Sequence, residues 1–296
     1  MTTTFETVPY FFPSHLEGDA HRLNQQHEAF RLLFSSKLVA HGPQLTPDFA
    51  GNVLDIGTGT GIWAAEFAVN YPASRVLGVD LNAPSSNVPP PNCTFAALDA
   101  ENDDQWDALI PEGTYDLIHT RLLVLHLCDP RALLRRCLRA LKPGGRVELQ
   151  ESREPFLFDR QTGAGGEEEK EGEDDTPFIR WSKLRVEGTQ RCNRDCAVAR
   201  HIPGWMREDG FVGVEVDEYK LPVGEWMEEE SGDLGRAGRL FGECMSWILE
   251  EAVRMPLVDG LGWTEEQVKS VAEEAGRDLG NGKVYVPLAV IVGSRP

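Results

Sequence analysis

A glycine cluster and three carboxylates, each closing a short apolar run, are the residues whose types and spacing could do chemistry. Val53-Leu54-Asp55-Ile56-Gly57-Thr58-Gly59-Thr60-Gly61 passes from an apolar run into glycines. Glycines permit a tight strand-to-helix turn and let a ligand approach bare backbone, while the start of the helix offers N–H donors. Ile62 stands where a G-x-G-x-x-G dinucleotide fingerprint would have its third glycine, so a pyrophosphate fits poorly. Asp55 would repel a pyrophosphate and suits the cationic end of an amino-acid moiety. Asp80 closes the run Val76-Leu77-Gly78-Val79, 19 residues beyond Gly61, where a carboxylate can accept hydrogen bonds from ribose hydroxyls. Asp99, in Thr94-Phe95-Ala96-Ala97-Leu98-Asp99-Ala100, is placed to accept from an adenine amino group. Each carboxylate alone reads as a strand-end turn residue. Three in succession favour a nucleoside site.

Two further residues could move protons. His126, in Leu125-His126-Leu127-Cys128-Asp129-Pro130, follows the fourth apolar run, and an imidazole titrating near about 6.5 could deprotonate a hydroxyl or amine. A helix-packing histidine is the alternative. Glu151, just beyond the fifth run, is the second acid or base candidate, whereas His119 lies within a strand and reads as packing.

The elements that must position these residues alternate. Strands are predicted at 53–56, 76–79, 94–97, 115–120 and 146–150, with helices at about 62–69 and 131–141. Strands interleaved with helices imply right-handed crossovers and a parallel sheet. After residue 150 the alternation breaks. An aromatic segment at 178–181 opens a helix running toward 204–210, a strand follows at 211–219, helical patterns lie near 234–255 and 264–278, and a last strand at 284–292 contains Pro287. An amphipathic helix is predicted within 17–38 from Leu23, Phe30, Leu33, Phe34 and Leu38, before a linker marked by Pro43 and Pro47. The expected organisation is a helical cap segment at 1–48, a cofactor-binding core at 49–151, a cap insertion at 152–210, and two final core strands within 211–296 that flank a helical insertion at 221–282. Phe11, Phe12, Trp181, Trp205, Trp226, Phe241, Met245 and Trp247 would either wall an acceptor pocket or pack the cap's own core.

Bulk composition removes several classes. The chain has 296 residues, 41% of them hydrophobic, and no stretch approaches the roughly 20 apolar residues of a membrane helix. No Lys or Arg precedes Arg22, which fits neither a signal peptide nor a transit peptide, so a cytoplasmic or nuclear location is expected. The formal charge of -19 argues against a nucleic-acid partner. Part of that charge sits in 163–175, whose seven acids and one Lys read as a solvated loop. The six cysteines read as reduced thiols, and Cys192, Cys196 and His201 make too few ligands for a metal site.

DIGTGTG, VLGVDL, FAALDA, YDLIHTR and LKPGG follow one another in the order seen in class I S-adenosylmethionine-dependent methyltransferases, which the chain resembles. Beyond that core, Tyr10-x-x-Pro13, His21-Arg22-Leu23 with Gln26-His27, Gly61-Ile62-Trp63, Lys220-Leu221-Pro222-Val223-Gly224-x-Trp226 and Gly262-Trp263-Thr264 resemble the LaeA-like fungal branch. The resemblance implies a Rossmann-like α/β fold with a seven-stranded sheet, six strands parallel and 284–292 inserted antiparallel, with helical cap insertions. It implies S-adenosyl-L-methionine as cofactor, S-adenosyl-L-homocysteine as product, and a small-molecule acceptor methylated on O, N or S without a metal. By the same resemblance Tyr10, Gln26, His27, Thr120 and Arg121 join Asp55, Gly57, Thr58, Gly59, Gly61, Asp80, Leu81, Asp99 and Ala100 around the cofactor. The alternatives are a cofactor-binding regulator acting through protein partners and an enzyme that uses the cofactor without methyl transfer.

Overall fold

The computed structural model describes residues 19–42, 45–84, 88–158, 176–227, 232–279 and 283–296. Tyr10, Phe11, Phe12 and the acidic stretch 163–175 lie outside the described residues. The first half is an alternating unit: β1 (Asn52–Ile56), α2 (Ile62–Asn70), β2 (Arg75–Asp80), β3 (Cys93–Ala97), α3 (Asp103–Leu109), β4 (Tyr115–Arg121), α4 (Pro130–Ala140) and β5 (Leu141–Ser152), preceded by α1 (Asp19–Leu33). Capping chemistry sets the helix starts. Asn102 and Asp129 accept the Gln105 and Ala132 N–H groups, and Pro130 occupies the first turn of α4.

The second half adds β6 (Leu157–Phe158), α5 (Pro177–Arg191), α6 (Ile202–Glu208), β7 (Val212–Pro222), α7 (Asp233–Ser246), α8 (Glu251–Met255), α9 (Glu265–Asp278) and β8 (Val284–Ser294). The sheet runs β3-β2-β1-β4-β5-β8-β7. The neighbours up to β5 are parallel, and β8 is antiparallel to both β5 and β7. These are the seven strands expected; the two-residue β6 adds a short eighth, continuing the line of β5 along β8.

β8 reads as an unbroken apolar run because both its faces are covered. Val284, Val286, Leu288, Val290 and Val292 join the cap's core, while Ala289 and Ile291 join a second core beneath α4 and α6. Pro287 has no N–H to donate, and opposite it β5 gives way to β6. The chain between them, 153–156, leaves the sheet and carries Glu154 and Phe156 inward.

The predicted helix at 178–210 is two helices, parted at Asn193, whose positive φ of 56° breaks the helical path. This division matters for layering. α5 packs in the cap with α8 and α9, whereas Ile202 and Met206 of α6 are buried with Leu133 and Leu134 of α4 against the sheet. Trp205 therefore belongs to the sheet side, and Trp247 is 57% exposed, so neither walls a cap pocket. A third core joins Trp63 and Phe67 of α2 to Val53, Val76 and Leu117 on the opposite face. Among the described residues no helix is long and apolar enough to cross a membrane, and no group of three or more His, Cys, Asp or Glu side chains could hold a metal ion.

Candidate active site

The turn after β1 is closed onto β2 first by backbone. Gly57 and Thr58 donate their N–H groups to Val79 O at 2.8 and 3.0 Å. Gly57 and Gly59 take φ of 72° and 57°, in the left-handed region that side chains disfavour. A Cβ on Gly59 would meet only a Leu23 methyl, at 3.4 Å, because the loop faces open space. Gly61 differs. Its Cβ would strike the Phe95 ring at 2.5 Å, so this glycine serves packing at the start of α2 and does not line the cavity, contrary to the cofactor role expected from sequence.

That open space is a cavity of about 570 Å³ running across the ends of β1, β2 and β4 to the cap. On the sheet side Asp55 is buried, accepting from Thr58 Oγ1 at 2.6 Å through one oxygen and meeting His119 Nδ1 at 2.8 Å through the other. His119 stacks on Trp63 with centroids 3.8 Å apart and planes 1° apart, and its buried Nε2 has no hydrogen-bond partner. His119 packs as expected from its place within the strand, and Asp55 fixes the ring through Nδ1. Asp80 Oδ2 accepts from Gly59 N at 2.9 Å and Oδ1 from Asn82 N at 3.2 Å. Burial nevertheless holds its pKa above the ordinary value.

α1 lies over this end. Thr60 donates to Asn24, His27 Nε2 meets Glu66 at 2.7 Å, and Arg121 approaches His27 Nδ1 at 3.2 Å. A guanidinium can only donate, so the His27 proton sits on Nε2 and points to Glu66. Burial lowers the His27 pKa and keeps the ring neutral. Arg121 also stands 5.1 Å over the Phe30 ring, and burial brings its pKa to about 10, still cationic at neutral pH.

Gln26, His27, Asp55, Gly57, Thr58, Gly59, Asp80, Leu81, Arg121 and His126 thus share one cavity. Asp99, Ala100, Thr120 and Glu151 do not line it. Asp99 sits two residues past β3, where its Oδ1 accepts the Glu101 N–H at 2.9 Å as a turn residue does. Thr120 is fully buried in β4 and reaches Glu151 Oε1 at 3.5 Å. Glu151 lies inside β5 and faces away from the cavity. Its Oε1 accepts the N–H groups of Leu123 and Val124 at 3.1 and 3.3 Å, fixing the turn after β4. Burial pushes this carboxyl up to about 8. Here it anchors the loop after β4 and does not line the cavity where an acid or base would act.

His126 does line the cavity, but it does not titrate near neutrality as expected. Burial, reinforced by the Arg185, Arg22 and Arg194 cations, brings its pKa to about 3. The far end of the cavity is a chamber walled by Phe156, Trp181, Phe241, Met245, Ile248 and Val286, with Ser152, Glu154 and Arg185 as polar groups. Glu154 and Arg185 are ion-paired and buried. Nothing in the sequence signalled this pair, whose members stand 31 residues apart on a loop and a helix that sequence does not bring together.

Sheet order, glycine turn and strand-end carboxylates define a class I methyltransferase core. The chain belongs to the methyltransferase-domain family, whose model matches residues 21–216. It is 30% identical to the methyltransferase pytC of Aspergillus terreus, over 97% of this chain and 83% of that protein. It is 28% identical to the probable methyltransferase tdiE of Emericella nidulans, over 94% of this chain and 82% of that protein. The secondary metabolism regulator laeA of Aspergillus fumigatus is 29% identical over 91% of this chain and 68% of its own length. The protein is a methyltransferase that uses S-adenosyl-L-methionine.

Proposed function

We propose that this methyltransferase acts on a small organic acceptor seated in the cap chamber, within fungal secondary metabolism. The observation that carries this reading is the continuity of one cavity, within a single chain, from the glycine turn to a chamber walled by buried aromatic and aliphatic side chains. Such an enclosure suits a compact ligand.

The side chains fit the cofactor. Gly59 leaves bare backbone toward the cavity, Asp80 offers carboxylate lone pairs for ribose hydroxyls, and Arg121 offers a cation for the methionine carboxylate. His119 completes the set. With Nδ1–H directed at Asp55, the ring is held against Trp63 and fixes that carboxylate at the edge of the cavity. Bound S-adenosyl-L-methionine supplies a sulfonium methyl that an oxygen, nitrogen or sulfur nucleophile can displace. The chain's own contribution is to hold the acceptor in line and exclude water, which supplies much of the acceleration. His126 lines the cavity and is neutral at physiological pH, and with its pKa near 3 it stores a proton poorly.

A protein acceptor is the second reading, favoured by the 27% identity over 95% of this chain to the protein-methionine methyltransferase laeA of Emericella nidulans. Incubation with methyl-labelled cofactor and separate metabolite and protein fractions distinguishes the two. The proposal expects a labelled small product with stoichiometric S-adenosyl-L-homocysteine; label confined to protein would overturn it.

A further inference from the structure

Resting on the reading of Arg121 as the cation for the methionine carboxylate, we infer that Glu66, which lies outside the cavity, is a positioning residue that presets Arg121 through His27. Arg121 closes β4, is half-buried and lines the cavity, and among the described residues its hydrogen-bonding partner is His27. Its guanidinium lies 5.1 Å over the Phe30 ring. His27 and Phe30 stand three residues apart on α1, so one face of that helix holds the guanidinium by an acceptor and an aromatic ring together.

What makes the imidazole an acceptor lies behind it. A neutral ring has one donor and one acceptor nitrogen, and the partner of one decides the role of the other. Glu66 of α2 meets His27 Nε2 at 2.7 Å through Oε2 and Arg31 Nη1 at 2.8 Å through Oε1. Both carboxylate oxygens are thus committed, and Arg31, one helical turn beyond His27, fixes the carboxylate in place. An ionised carboxylate only accepts, so it draws the proton to Nε2 and leaves the Nδ1 lone pair facing Arg121 at 3.2 Å. Burial works against the Glu66 charge, but His27, Arg31 and Arg121 hold its pKa below the ordinary value. Removing Glu66 would strip the acceptor from the Nε2–H of a buried ring and release that ring. The long arginine side chain would then have to be ordered by the cofactor itself, at the expense of affinity. Of Phe30, Arg31, Glu66, His27 and Arg121, only the last two line the cavity, so the effect should be confined to ligands that carry a carboxylate for Arg121.

Calorimetry on the full chain compares S-adenosyl-L-homocysteine with its decarboxylated analogue, in which an aminopropyl chain replaces the amino-acid arm. Wild type should prefer the carboxylate-bearing ligand, and Arg121→Met should erase the preference. A wild type without it, or a preference unchanged in that variant, would overturn the Arg121 reading and the inference with it. Glu66→Leu should weaken S-adenosyl-L-homocysteine binding about tenfold and binding of the analogue by less than about twofold. An equal loss for both ligands, as a purely structural role gives, or no loss at all, overturns the inference and leaves the Arg121 reading standing. Because the route runs through His27, Glu66→Leu should cost nothing further in a His27→Leu background, whereas additive losses would show Glu66 acting without His27 and refute the relay. Long-range nitrogen–proton NMR spectra of the histidine-labelled wild type, with His27 assigned by its absence from His27→Leu, decide even if Glu66→Leu fails to fold. The ring should carry its proton on Nε2, and a proton on Nδ1 overturns the inference.

Discussion

Replacing Glu151 by Gln should make the protein more stable relative to wild type as pH rises. The carboxyl is fully buried, accepts the N–H groups of Leu123 and Val124 through Oε1, and leaves Oε2 without a partner. Burial raises its pKa from the ordinary 4.5 to about 8. Between those values the folded chain holds a proton that the unfolded chain releases, so stability is full below pH 4.5 and lost as pH climbs toward 8. Each pH unit in that window costs about 1.4 kcal/mol, or roughly 3 kcal/mol by pH 7. Gln preserves the acceptor for both backbone donors and removes the ionisation. Denaturant unfolding of both proteins across the window isolates this group, because the remaining carboxylates cancel in the difference. The stability difference should grow with pH and level off above about pH 8. A flat difference would mean that the carboxylate is already ionised in the fold. The same variant should keep most of its turnover; a selective loss of kcat with cofactor binding intact would restore Glu151 as a proton-transfer group.

Gly59→Ala and Gly61→Ala should separate binding from folding. The first, facing the open cavity, should weaken cofactor binding with a modest change in Tm, while the second, driving a methyl into Phe95, should cost about 2 kcal/mol of stability, both read by calorimetry and thermal unfolding; the reverse pattern would refute the division. Asp80→Ala should lose about 1.5–3 kcal/mol of cofactor affinity, and unchanged affinity in a folded variant would remove the ribose role. His126→Ala should keep the wild-type shape of kcat against pH between about pH 6 and 9, because a group titrating near 3 is silent there. A kcat loss of roughly a hundredfold or more with a changed profile would reinstate it as the base.

The cofactor half of the molecule was legible because its signals are local. Glycine spacing, apolar runs ended by carboxylates and helix caps each act over a few residues, and together they placed Asp55, Gly57, Gly59 and Asp80 on one cavity. Gly61 and Asp99 belong to the same motifs but do other work, since a turn glycine and a strand-end aspartate look alike whether a ligand or a phenylalanine ring lies opposite. His119 packs within its strand as read, but a strand position gives no hint that Asp55 of the neighbouring strand will orient the ring. The acceptor end depends on distant pairings: Glu154 with Arg185, and Trp181 Nε1 with Leu249 O at 2.9 Å. No local periodicity reports such contacts. The helix expected to run unbroken past residue 192 stops there for a backbone reason, the left-handed Asn193, that composition does not reveal.

The placement of α1 bears on how this enzyme can diversify. Most of the residues proposed to hold the cofactor lie within 55–121, and the chamber walls come from 152 onward, so the chamber can be altered without touching the proposed cofactor residues. α1 is the exception. It sets Gln26 and His27 over the glycine turn and, on the same helix, holds Gln25 to Glu243 and Glu28 near Arg236 of α7. A substitution there is felt by both halves at once, because one helix faces the glycine turn and grips α7.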